Sequence, residues 1–261
     1  MGKLIKYFYK NRNNKLFWWG NKWGKLVTNK LPTPIKRLID AYLYRYVKKD
    51  FVFHSSQQPF TDIYKLNFWN SEESKSGTGS TIKATVMIRK HLPLIIERYA
   101  IRSMLDVPCG DYNWMRAVEK KCHYIGGDIV PELIENNQKL YASDNVQFKL
   151  IDIIKDTLPA VDLIFCKDCL QHLSYANVHK ALWNFKSSNS KYLMVTSYSK
   201  TWLNHDIENG DYRPLNLRKS PFRLPKPLLR VTEEHGFGYN EIDKAMHLYK
   251  LSDLDFGVRG E

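Results

Sequence analysis

The chain has 261 residues, 43% apolar and 26% charged, which fits one large domain with appendages and excludes a disordered, collagen-like or disulfide-stapled chain. Its net charge of +13 is concentrated: residues 1–50 hold 13 Lys and Arg against Asp40 and Asp50, while the other 211 residues carry 27 bases and 25 acids. This excludes a uniformly basic protein and describes a nearly neutral body with a basic arm.

In the arm, Lys3, Lys6, Lys10, Lys15, Lys22 and Lys25 interleave with Tyr7, Phe8, Phe17, Trp18, Trp19 and Trp23, which reads as short basic, aromatic helices. Lys6 stands where a myristoylation signal needs Ser or Thr. No apolar run approaches the roughly 18 residues of a membrane span, and no secretory signal is legible, so the expectation is a cytoplasmic protein. After Pro32 and Pro34, residues 35–47 carry apolar side chains at helical spacing. Residues 51–102 then read as a helical cap leading into the core. Within it, Ser80 is expected to cap a helix running to about His91, and Pro93 to open a second short one.

From residue 103 the pattern becomes regular. Apolar runs of strand length fall at 104–108, 124–129, 146–151, 163–166 and 192–195, separated for the most part by amphipathic helices. Pro131 starts one helix, followed by Leu133, Ile134, Asn137 and Leu140, and Val178, Leu182 and Phe185 mark another. This alternation predicts an α/β fold: a Rossmann-like, mostly parallel sheet with helices on both faces. Residues 199–227, rich in Pro, Arg and Asn, interrupt the domain of residues 103–261 as an insertion or lid. Strand-like runs at 228–232 and 246–251 suggest an antiparallel C-terminal edge. Of the four cysteines, Cys166 and Cys169 have CxxC spacing but lack a second such pair, so buried thiols are expected rather than a zinc or redox site.

In an open parallel sheet, ligands bind beyond the carboxyl ends of the strands, where strand order reverses. The first such turn is Asp106-Val107-Pro108-Cys109-Gly110-Asp111, and Asp128 closes the next strand 22 residues after Asp106. An acid at that distance suits both hydroxyls of a ribose, pointing to an adenosine derivative. NAD and FAD need a GxGxxG turn for their pyrophosphate, and only Gly110 is present here. S-adenosylmethionine carries an ammonium, a carboxylate and a sulfonium but no phosphate, a set that Asp106, Gly110 and Asp111 suit.

Residues 70–198 resemble the class I S-adenosylmethionine-dependent methyltransferases. The likeness rests on Asp106 to Asp111, Gly126-Gly127-Asp128, the run Phe148 to Ile153, and the fourth motif Asp162 to Asp168, which includes Lys167. The chain departs from that family in having one glycine where three are common. The resemblance implies that Asp152 meets the adenine amino group, with the Ile153 amide near the ring and Ile129 beside Asp128. A narrower likeness, carried by Ser76 to Ser80, Asp106 to Trp114, Cys169 to Leu173 and Asn204 to Ile207, is to methyltransferases of bacterial capsule and surface-polysaccharide clusters. Some of those act on sugar hydroxyls or capsular phosphoramidate groups.

An oxygen acceptor has to lose a proton, and a histidine near the mouth of the fourth strand suits a general base. His172, four residues beyond Asp168, is the first candidate, with helix capping as its rival role; His205 is the second. Asp168 either orients His172, binds the acceptor or caps its own turn. Gly77, Gly79 and Ser80 offer backbone amides to the cofactor carboxylate or are a plain linker, and Trp114 stacks near the cofactor or packs in the core. In the insertion, Asn204, Asp206, Tyr212, Arg213, Asn216 and Arg218 would suit a phosphorylated or glycosyl acceptor, or line a solvated loop. No spacing compels a metal. The basic arm leaves two further readings open: docking on RNA for a nucleic-acid methyltransferase, and peripheral attachment of a non-catalytic scaffold to an anionic membrane.

Overall fold

A computed structural model of the chain describes residues 57–69, 71–233 and 243–256; the basic arm of residues 1–50 therefore lies outside the described residues. Five parallel strands, β1 (Ser103–Asp106), β2 (His123–Asp128), β3 (Val146–Leu150), β4 (Leu163–Cys166) and β5 (Tyr192–Tyr198), follow the expected apolar runs. With β6 (Leu229–Thr232) and β7 (Lys244–Lys250) they form a seven-stranded sheet of order β3-β2-β1-β4-β5-β7-β6. β7 is antiparallel to both β5 and β6, which supplies the expected antiparallel edge.

Successive strand residues alternate between two cores because side chains leave a strand on opposite faces. Met104, Leu163, Phe165 and Met194 pack on one face with Ile88, Leu92 and Leu133. Leu105, Ile164, Cys166 and Val195 pack on the other with Val178, Leu182 and Phe185. Helices α1 (Gln57–Lys65), α2 (Val86–Arg98), α3 (Pro131–Tyr141) and α4 (Tyr175–Ser187) accompany this sheet. Ser174 caps α4 by accepting from the Asn177 amide, and Pro131 stands in the first turn of α3, where a missing N–H costs nothing.

Two expectations are corrected. Pro93 lies inside α2 rather than opening a second helix, and Ser80 ends a 3-10 turn (Thr78–Ser80) instead of capping α2. Ile88 and Leu92 before Pro93, and Ile95 and Ile96 after it, all bury against the sheet, and that packing holds the helix continuous despite the lost i−4 hydrogen bond. Leu140 is exposed; the buried stripe of α3 is Leu133, Ile134 and Asn137. No helix among the described residues is long and apolar enough to cross a membrane.

Candidate active site

Strand order reverses between β1 and β4, and the turns after β1, β2, β3 and β4 converge there on one cleft, open to solvent. After β1, Gly110 adopts φ +55°, and a Cβ on it would lie 2.3 Å from the Ser76 hydroxyl, so glycine is required. Asp128 at the end of β2 accepts from the Gly110 amide through Oδ2 and from the Val130 amide through Oδ1, each at 3.1 Å. Burial pushes its pKa up to about 6, with the Val130, Gly110 and Ile129 amides opposing. Asp106, only 2% exposed, accepts from the Tyr124 hydroxyl at 2.6 Å. Its burial outweighs that bond and the attraction of Lys120, raising its pKa to about 7.

Asp152, after β3, accepts from the Ile154 amide at 2.9 Å and lies 3.6 Å from Lys155. Asp152, Ile153 and Ile129 line the cleft, as do Asp106, Gly110 and Asp128. Trp114 is in the cleft wall and also in the core, with its ring centroid 5.9 Å from that of Phe165.

The segment before α2 laces these strand ends to the opposite wall. Asp111, expected at the cofactor, is outside the cleft wall: its carboxylate accepts from Ser74 Oγ, the Lys75 amide and Ser76 Oγ. Gly77 and Gly79 are outside it too, although Ser76 and Ser80 line it. Both glycines instead make room for other side chains. Gly77, at φ +97°, would bring a Cβ within 3.2 Å of Trp69, and Gly79 would bring one within 2.9 Å of the Asp168 carboxylate.

After β4, Lys167 and Asp168 join Glu233 and Lys244 in a buried four-charge cluster. Lys167 contacts Asp168 closely and lies 3.3 Å from Glu233; Lys244 is 3.2 Å from Asp168 and 3.0 Å from Glu233. Lys167 also donates to the Gly79 carbonyl at 3.1 Å. Burial alone would raise the Asp168 pKa, but the two ammonium groups and the Gln171 amide outweigh it and hold the carboxyl well below the usual range. Asp168 therefore spends its oxygens on Lys167, Lys244 and Gln171 and makes no hydrogen bond to His172.

His172, in the 3-10 turn Leu170–His172, lines the cleft. Its Nδ1 lies 2.8 Å from the Asp211 carbonyl, an oxygen that can only accept, so Nδ1 carries the proton and Nε2 is left basic. Burial lowers its pKa to about 4, opposed by Asp168 and assisted by Arg213 and Lys244.

Residues 199–227 form no helix or strand, and much of the segment is packed tightly. Asn204 donates to the carbonyls of Asn216 and Ser220 and accepts from the Asn216 amide. Arg213, expected as a phosphate fork, is fully buried: Nη1 donates to the Leu173 carbonyl at 2.6 Å, and the guanidinium stands 5.2 Å over the Tyr175 ring. Asp206 accepts from the Tyr175 and Ile207 amides. Arg218 is exposed, and His205, the second candidate base, is not in the cleft wall.

Residues around the site that the sequence does not mark include Phe60, Tyr64, Trp69 and Lys75 in the cleft wall, and Glu233 and Lys244 behind it. A signal existed for Lys244, a charge flanking an apolar strand run; the aromatics of 57–69 carry no spacing that marks them. Cys166 and Cys169 are free thiols, the first buried and the second at the cleft.

Residues 105–187 match the methyltransferase-domain family model. S-adenosylmethionine is accordingly the expected cofactor of this domain. The N-methyltransferase NodS from Bradyrhizobium japonicum WM9, in complex with S-adenosyl-L-homocysteine, superposes with a TM-score of 0.53 at 14% identity, over 72% of this chain and 97% of its own. That likeness shows the fold, a Rossmann-like methyltransferase sheet. Human N-acetylserotonin methyltransferase, in complex with SAM, gives a TM-score of 0.42 at 16% identity, over 69% of this chain and 50% of that one. A possible exported protein from Bordetella parapertussis gives 0.37 at 19%, over 44% and 43%, so the chain spans less than half of that protein. No curated protein matches in sequence.

Proposed function

We propose that the chain is an S-adenosylmethionine-dependent methyltransferase that methylates a hydroxyl oxygen of a saccharide or phosphoramidate-type acceptor, as in the building of capsule or surface polysaccharide. One observation carries the oxygen chemistry: a neutral histidine, with its tautomer fixed by the Asp211 carbonyl, lines the same cleft as Asp106, Asp128 and Asp152.

The donor set fits the cofactor. Asp128 is at the strand end where ribose hydroxyls are bound in such sheets, and its carboxylate has lone pairs beyond the two used by backbone amides. Asp152 and the Ile153 amide suit an adenine edge, and Asp106 suits an ammonium. Bound S-adenosylmethionine supplies a methyl carbon already activated by the sulfonium. His172 Nε2 would take the acceptor hydroxyl proton, and the surrounding walls would align the two reactants. Asp168 acts at a distance, holding the turn that presents His172 through Gln171.

The test is to supply the protein and S-adenosylmethionine with nucleotide-activated sugars, phosphosugars and capsule fragments, and to follow S-adenosylhomocysteine by mass spectrometry. Acceptor-dependent S-adenosylhomocysteine is expected. Turnover confined to amine acceptors, or to RNA, would overturn the oxygen assignment.

A further inference from the structure

Resting on that reading, we infer that Trp69, Tyr64 and Lys75 form the acceptor subsite, and that it takes a sugar ring bearing an anionic substituent, a phosphoryl or a carboxylate. The cleft wall opposite the strand ends contains three aromatic side chains, Phe60, Tyr64 and Trp69. Trp69 belongs to the reacting end rather than the adenine end, because its ring centroid is 5.7 Å from that of His172. Tyr212 flanks His172 on a further side at 5.6 Å, so the base stands among rings. The rings are tilted by 47° in both pairs. Neither ring therefore stacks flat on His172. A single half-buried face at the base suits the C–H face of a saccharide, which presents apolar hydrogens axially and hydroxyls around its rim.

Trp69 is held for this purpose. Gly77 packs against its Cβ and ring in a backbone conformation that side chains rarely adopt, and the turn containing Gly77 is fastened by three hydrogen bonds to Asp111. Such fastening lowers the ordering cost of binding. The cleft wall also contains two lysines. Lys167 is committed to Asp168 and Glu233, whereas Lys75 forms no ion pair among the described residues and stands 5.0 Å over the Tyr64 ring. Its ammonium is thus the cation available to an anion on a ring lying along that wall. The Lys75 amide donates to Asp111, which fixes the base of the side chain while its tip stays exposed.

The experiment uses the full chain saturated with S-adenosylhomocysteine and three probes: glucose 1-phosphate, glucuronate and glucose. Binding is read by saturation-transfer NMR and titration calorimetry. Both anionic probes are expected to bind more tightly than glucose, the phosphoryl and carboxylate arms showing which anion is preferred. Trp69→Ala is expected to weaken all three by up to about ten-fold and Trp69→Phe to restore most of the loss, with affinity for S-adenosylhomocysteine unchanged. Lys75→Met is expected to lower the preference for the anionic probes over glucose by about five-fold, and added salt to do the same to the wild-type chain. If the chain binds S-adenosylhomocysteine but none of the sugars, or if the variants leave sugar binding alone, the subsite is overturned and the methyltransferase reading stands. Failure to bind S-adenosylhomocysteine at all overturns both.

Discussion

On one wall of the cleft, Asp106, Asp128 and Asp152 stand at successive strand ends; on the other, Trp69, Lys75 and His172 stand on turns. The carboxylates inherit their positions from paired backbone, and Asp128 is tied directly to the amides of Gly110 and Val130. The turn wall has no ladder to rely on. It is fixed by side chains reaching across the chain: Asp111 to residues 74–76, Gly77 beneath Trp69, and the cluster of Lys167, Asp168, Glu233 and Lys244 beside Gly79. A sheet can position a cofactor with local backbone geometry, whereas an acceptor wall made of turns needs long-range polar fasteners.

Substitutions should separate the two walls. The largest effect is expected for His172→Ala, a loss of about 10²- to 10⁴-fold in kcat, with affinity for S-adenosylhomocysteine within a few-fold of wild type by calorimetry. Equal loss of both would make His172 a structural residue. Because its pKa is lowered to about 4, its basic form is complete at neutral pH, and the kcat profile should show no His172 limb between about pH 6 and 8.

Next is Glu233→Gln, which leaves Lys167 and Lys244 buried with half their compensation; a loss of about 3–5 kcal/mol is expected in denaturant unfolding. An unchanged midpoint would show that the cluster does not hold the turn wall. Asp128→Asn keeps the shape but removes the charge and one accepting oxygen, so binding of S-adenosylhomocysteine should weaken by about 1.5–3 kcal/mol while acceptor affinity hardly moves. Smallest is Gly77→Ala, costing about 1–3 kcal/mol of backbone strain and displacing Trp69. It should raise the acceptor KM without changing cofactor affinity, the mirror image of Asp128→Asn.

The same contrast explains what was legible in the sequence. Strands β1 to β5 are continuous apolar runs because both faces of the sheet are covered, and that signal is local. Asp106 and Asp128 close such runs and Gly110 lies in the turn after the first, so the strand pattern points to them, whereas Asp152 and Ile153 are indicated only by the methyltransferase resemblance. Arg213 could not: its polar neighbours suggest a solvated loop, while the feature that buries it, the Leu173 carbonyl, is 40 residues away. Asp111 likewise reads as an acid for the cofactor and Gly79 as an amide donor to its carboxylate, yet their partners are Ser74 to Ser76 and the Asp168 carboxylate. Pro93 shows the opposite error, a local breaker overruled by burial on both sides of it.

Asp106 also links folding to protonation. Its carboxyl binds a proton near neutrality when folded, because its pKa is raised from 3.8 to about 7, while an unfolded chain would have released it. Folding therefore takes up a proton, and Asp106 weakens the fold as pH rises from about 4 to 7, with no further change above that. A cofactor ammonium beside it would reverse the balance by favouring the carboxylate. Loading S-adenosylmethionine at neutral pH should then expel a fraction of a proton, visible as a binding enthalpy that varies with the ionisation enthalpy of the buffer and is lost in Asp106→Asn. The cleft would thus acidify its surroundings slightly each time it fills.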